Sequence, residues 1–152
     1  MDKTAAGAGA GFVSGLVIGL ISIVLFITSV CELCLINIGG GIFMRQMLTQ
    51  NALPVWQALG WLVHLSVSVV LGIILAHILS VTGKDWALLK GAIWGAVIWL
   101  ITIGGVSPLG GYITVPPRPE DIFLLFAYHV LFGLLAAWLL VRFGSISETN
   151  KL

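Results

Sequence analysis

Four stretches of the chain, roughly residues 11–36, 55–80, 87–107 and 121–143, run through apolar residues with charges only near their ends. Each is long enough to span a bilayer, since about 20 residues at about 1.5 Å rise cover about 30 Å of hydrocarbon. With 59% hydrophobic and 9% charged residues and a mean hydropathy of +1.13, the chain is too apolar to clothe itself in a polar surface. The expectation is an all-α, polytopic four-helix bundle that occupies residues 1–152 as one integral membrane domain, with the lipid bilayer as its solvent. A net charge of +1 and the lack of a basic run give no electrostatic footprint for nucleic acid.

The first stretch has Lys3 as its one basic flank and exceeds the roughly 7–15 residues of a signal-peptide core, so it reads as a retained helix. Lys3, Lys84, Lys90, Arg142 and Lys151 fall at the termini and in the second loop, against Arg45 and Arg118 in the other two loops. The positive-inside rule then places both termini in the cytoplasm.

Within the second stretch every fourth residue is small or polar: Gly60, His64, Ser68, Gly72, Ala76. Positions four apart share a helix face, and in a membrane a face of small residues packs against protein. Gly11, Gly15 and Gly19 form a glycine zipper in the first helix. Gly91 and Gly95 repeat the spacing in the third, and Gly133 with Ala137 in the fourth. These are more seams than four helices need among themselves, which points outward to a homo-oligomer or a larger membrane complex.

Between the stretches, Gly39-Gly40-Gly41 predicts a helix break, because three permissive residues in a row lose much backbone entropy on ordering. Met44, Met47 and Leu48 opposite Arg45, Gln46, Thr49 and Gln50 predict a short amphipathic helix on the outer membrane surface, ended near Pro54. Gly104 to Pro119 is Gly- and Pro-rich and reads as a stiff, extended lid. Asp85 is a plausible N-cap for the third helix. Cys31-Glu32-Leu33-Cys34 has a C-x-x-C spacing that would bring two thiols to one helix face. With Glu32 the thiols could suggest redox or metal chemistry, but no second cysteine pair completes a zinc site, and burial as small apolar residues is the stronger reading.

An internal repeat is visible. Gly91 and Gly95 align with Gly11 and Gly15 at an offset of 80, and Phe126–His129 with Trp61–His64 at an offset of 65. The 15-residue difference is taken up by the first outer loop. Two copies of a helical hairpin, related by an axis along the membrane normal, account for both registers. The Gly-zippered first helix, the G-W-x-x-H of the second, the G-A-x-x-G of the third and the lone His of the fourth resemble the small bacterial inner-membrane proteins of the YqhR and YagU type. That resemblance implies a four-helix membrane protein and carries over no site.

His64 and His129 lie nine and eight residues inside Val55 and Asp121, about 12–14 Å below the outer edge of the hydrocarbon. An imidazole at that depth needs a partner, because an unpaired buried polar group costs several kcal/mol. Three partners are open. The first is hydrogen bonding between helices, to Ser68, Tyr128, Thr102 or a freed carbonyl. The second is axial ligation of a b-type haem by both imidazoles, with Arg118 or Arg45 pairing with its propionates. The third is a proton or ion relay with Glu32 as its mouth. His77, near the inner interface, reads as a snorkelling end residue. The sequence offers no Ser/His/Asp set, phosphate loop or H-E-x-x-H from which to argue hydrolysis or phosphoryl transfer. A non-catalytic accessory or structural subunit packing through its glycine seams is therefore the first functional expectation. Haem electron transfer and ion relay are the alternatives.

Overall fold

The computed structural model describes residues 2–43, 54–107 and 118–144, with side chains of the second segment from Gln57 onward. Its helices are α1 (Lys3–Ile27), α2 (Leu35–Gly41), α3 (Pro54–Thr82), α4 (Ala87–Trp99, continued by a π-helix over Leu100–Val106) and α5 (Pro119–Phe143). Lys3–Ile27, Gln57–Thr82, Ala87–Val106 and Pro119–Phe143 are long and apolar enough to cross a membrane. The protein is an all-helical, multi-pass membrane bundle. The expected surface helix with Arg45, and the lid over residues 108–117, fall outside the described residues; Gly104 and Gly105, expected to open an extended lid, belong instead to the π-helix that prolongs α4, whose wider turn accommodates them.

The first span sits earlier than its hydropathy suggests: it starts at Lys3 instead of residue 11 and stops at Ile27 instead of 36. At its start, the Asp2 carboxylate accepts the Ala5 N–H, and the Ala/Gly run that follows lies against α3. A Cβ on Gly7 would stand 2.6 Å from the Ile73 Cα. Close interhelical packing here outweighs glycine's poor helix propensity, about 1 kcal/mol per residue. At its end, the Thr28 hydroxyl bonds back to the Val24 carbonyl at 2.8 Å and Ser29 turns left-handed at φ 58°. The C-x-x-C segment is consequently a link between α1 and α2, not a helix face. Gly39-Gly40-Gly41, expected to break a helix, instead completes α2, with Gly40 and Gly41 buried. The sequence's preference for Asp85 as a cap also gives way: Trp86, left-handed at φ 57°, precedes α4. Lys90 closes that turn by donating to the Thr82 and Gly83 carbonyls at 2.9 and 3.0 Å.

α1 packs along α3, α4 along α5, and α1 against α5, while α3 meets α4 and α5 only sparingly. Both tight pairs bring backbone against backbone. A Cβ on Gly11 would collide with the Ser68 carbonyl, one on Gly72 with Gly7 and Gly11, one on Gly91 with the Gly133 carbonyl, and one on Gly95 with that of His129. Gly60 faces the Ile36 carbonyl of α2 in the same way. The surplus of seams expected to face partners is thus absent at these positions, because each is taken up inside the chain. Pairing of this kind gains dispersion and weak Cα–H···O contact that a lipid tail would not match.

The half of the bundle where α1 starts and α5 ends, termed the inner half after the orientation expected from the charges, is filled by Leu75, Ala76, Leu79, Ala136, Ala137 and Leu140, all at most 1% exposed. The opposite half, correspondingly the outer one, holds Ile18, Ile98, Leu125, Tyr128 and Phe132, with polar side chains among them.

Gly91→Leu or Gly11→Leu must therefore force two helices apart, at a cost of about 3 kcal/mol or more. Gly104→Ala, where a Cβ meets nothing within 4 Å, leaves stability within about 1 kcal/mol of wild type. Unfolding in SDS, followed by circular dichroism, checks both. A Gly91→Leu protein that keeps its fold but loses only assembly would contradict the inward seams.

Candidate functional site

His64 stands on the small-residue face of α3, and its ring reaches across to α1. Its Nε2–H donates to the Gly15 carbonyl at 2.9 Å. A carbonyl only accepts, so the proton of the neutral ring is fixed on Nε2 and the lone pair on Nδ1. The glycines of α1 make the reach possible: a Cβ on Gly19 would lie 2.8 Å from the Trp61 ring and 3.2 Å from the His64 Cδ2. Trp61 holds the imidazole edge-on, with centroids 6.1 Å apart.

His129 turns its Nδ1–H onto the Leu125 carbonyl of its own helix at 2.6 Å. Its Nε2 faces the Thr102 hydroxyl at 3.4 Å, and that hydroxyl lies 2.8 Å from the Ile98 carbonyl. Thr102 comes from the π-helical end of α4, a form of helix found disproportionately at functional sites.

The two histidines line one cavity of about 70 Å³ together with Ser68, Thr102 and Tyr128, set in an otherwise apolar wall. Of the partners open to them from sequence, backbone carbonyls and Thr102 are the ones in contact. The space is far below the roughly 300 Å³ of a pocket for even a modest organic ligand. In this conformation a porphyrin has no room between the rings, and the packing of glycine on backbone leaves none to be gained by small shifts.

Above the cavity a polar cluster leads to the outer rim. The Leu35 N–H donates to Ser22 Oγ at 2.9 Å, and that hydroxyl points to Cys34 Sγ at 3.7 Å. Cys31 and Cys34 are both free and only 2% exposed, with the Tyr128 hydroxyl beside Cys31 and Ser22. Burial pushes the Cys31 thiol above its ordinary range. Over this cluster lies Asp121, 1% exposed, which accepts the Glu32 backbone N–H at 2.9 Å and an Arg118 N–H at 3.3 Å. Arg118 also sits 3.6 Å from the exposed Glu32 carboxylate. Glu32 thus pairs with Arg118, and Arg118 is committed to two carboxylates instead of standing free for a propionate. No group of three or more His, Cys, Asp or Glu that could hold a metal occurs among the described residues. His77 is exposed and donates within its own helix to the Ile73 carbonyl at 2.9 Å.

Nothing in the sequence announces the Asp121–Glu32 link, whose partners are 89 residues apart, or Ser22 beneath Cys34. The one available hint is a pair of serines eight residues apart, Ser14 and Ser22 flanking Ile18 on one face of an otherwise apolar helix. Comparisons with protein-family models, with curated proteins and with solved structures return no match.

Two outcomes follow from the rim. Asp121→Ala strands the Glu32 N–H and costs about 1–3 kcal/mol, while Asp121→Asn, which still accepts, costs less; thermal unfolding distinguishes them. Because the thiolate is the reactive form, maleimide labels Cys31 at about pH 8 at least about tenfold more slowly in the folded protein than in SDS, and faster as pH rises. Equal rates in the two states would show the thiol to be open.

Proposed function

We propose that this is a non-catalytic component of the bacterial inner membrane whose working part is the cavity between His64 and His129, where it holds a proton or a small hydrogen-bond donor. The observation that carries this reading is the weakly met acceptor at His129. With Nδ1–H given to Leu125, the neutral ring has its lone pair on Nε2, and its one partner there is the Thr102 hydroxyl at 3.4 Å, which has a single proton and a nearer acceptor in the Ile98 carbonyl at 2.8 Å. A proton on Nε2, or a guest that donates to it, completes the network. Buried polar groups are seldom left without a partner.

The inner half argues for holding over conducting. Leu75, Leu79 and Leu140 close the bundle below the histidines, so the polar thread from Glu32 downward ends at the cavity. The distribution of Lys and Arg puts both termini in the cytoplasm and the cavity toward the outer side. The duplicated hairpin is part of this proposal. Gly11 meets Ser68 and Gly72 in one pair of helices, and Gly91 meets Gly133 and Ala137 in the other, positions related by the same offsets of 80 and 65. Association with a further copy or a larger complex would draw on lipid-facing side chains, since the seams are occupied.

The test is ¹⁵N NMR of histidine-labelled protein in lipid nanodiscs, from about pH 8 to about pH 5. The His129 Nε2 signal is expected to pass from the acceptor to the protonated type, and Thr102→Val to move that midpoint. Spectra of both rings that stay unchanged throughout, in wild type and variant alike, would end the proposal.

A further inference from the structure

The five glycines of α1 do not all serve α3. Gly7, Gly11, Gly15 and Gly19 lie against it, but a Cβ on Gly9 would meet nothing within 4 Å. Gly9 opens on a groove of about 230 Å³ between the start of α1 and the end of α5, with Ala6, Ala10 and Val13 on one side and Leu139 and Phe143 on the other. A glycine on an outward helix face forfeits helix propensity and gains no packing from its own chain. What it provides is width beside bare backbone.

The rim of the groove is charged. α1 begins and α5 finishes at this same end, so Lys3, one turn before Ala6 and Gly7, shares it with Arg142. The Arg142 guanidinium lies 5.6 Å over the ring of Phe143, a wall of the groove. At this end of the bundle the described charges are Lys3, Lys84, Lys90 and Arg142 against Asp2 and Asp85, four cations to two anions. Lys90 is tied to carbonyls of the α3–α4 turn, and Asp2 caps α1 through the Ala5 N–H. Lys84 and Asp85 belong to the α3–α4 turn, which leaves Lys3 and Arg142 as the charges on the two helix ends that wall the apolar slot.

We propose that this groove seats one acyl chain of an anionic phospholipid, with the phosphate meeting Lys3 and Arg142. The apolar slot alone would take any lipid tail. The two cations at its mouth select a headgroup with net negative charge, the combination by which basic pockets at helix ends hold anionic lipids. This inference is independent of the histidine cavity, which lies in the other half of the bundle.

Native mass spectrometry of the detergent-solubilised protein, offered dioleoyl phosphatidylglycerol or dioleoyl phosphatidylcholine, tests it. Wild type is expected to retain one phosphatidylglycerol at about tenfold lower lipid concentration than phosphatidylcholine. The double variant Lys3→Gln/Arg142→Gln should lose that preference with its helical circular dichroism and thermal transition unchanged. Gly9→Leu, which fills the slot, should lose the retained lipid of either kind. Equal retention of the two lipids by wild type, or a preference that survives both the double variant and Gly9→Leu, overturns the site. So does a dimer that Gly9→Leu dissolves while wild type shows no lipid preference, since a second copy would then be the occupant.

Discussion

The structure depends on helix backbones touching where glycine leaves no side chain between them. In a bilayer, burying apolar surface between helices gains little, because lipid is as apolar as leucine, and close van der Waals contact has to supply the cohesion instead. Gly11 against Ser68 and Gly72, and Gly91 against Gly133, give that contact in the two tight helix pairs. α1 then joins the pairs by lying on α5, and α3 touches α4 and α5 only sparingly.

That uneven closeness explains where polar groups are tolerated. Small side chains on α1 let His64 reach a backbone carbonyl of the neighbouring helix, and the π-turn of α4 brings Thr102 to His129. The serines, thiols and tyrosine between the cavity and Asp121 occupy the same outer half, while leucine and alanine fill the inner half. A divided interior of this kind, polar in one half and apolar in the other, is what the proposed uptake of a proton or a small guest from one face requires. Asp121 matters because it pins the α1–α2 link over that site from a helix distant in sequence.

The spans were legible because the bilayer imposes a length and an apolarity that any sequence must show. The inward faces were legible in part because four-residue spacing marks one side of a helix. The same spacing does not tell whether the facing helix belongs to the chain or to a partner, and Gly60, Gly72 and Gly133 all turned out to face their own chain. The start of α1 was misplaced because Ala and Gly at residues 4–11 are helical only through contact with α3, and its end because Ser29 carries none of the usual Gly, Asn or Pro marks of a left-handed stop. The equal depth of His64 and His129 could be counted from helix ends. What each ring would bond could not, since Gly15 and Thr102 arrive through tertiary packing and a π-turn with no sequence signature.

The most direct measurement is magic-angle-spinning ¹³C NMR of glycine-labelled protein in lipid bilayers, comparing a uniformly labelled sample with a mixture of differently labelled copies. Backbone cross-peaks between Gly11 and Gly72, and between Gly91 and Gly133, should be strong in the first sample and persist undiminished when labelled molecules are diluted in unlabelled ones. Cross-peaks that appear between differently labelled copies, or none at these pairs, would mean that the glycine contacts hold separate molecules together and that the two histidines do not share a cavity within one chain.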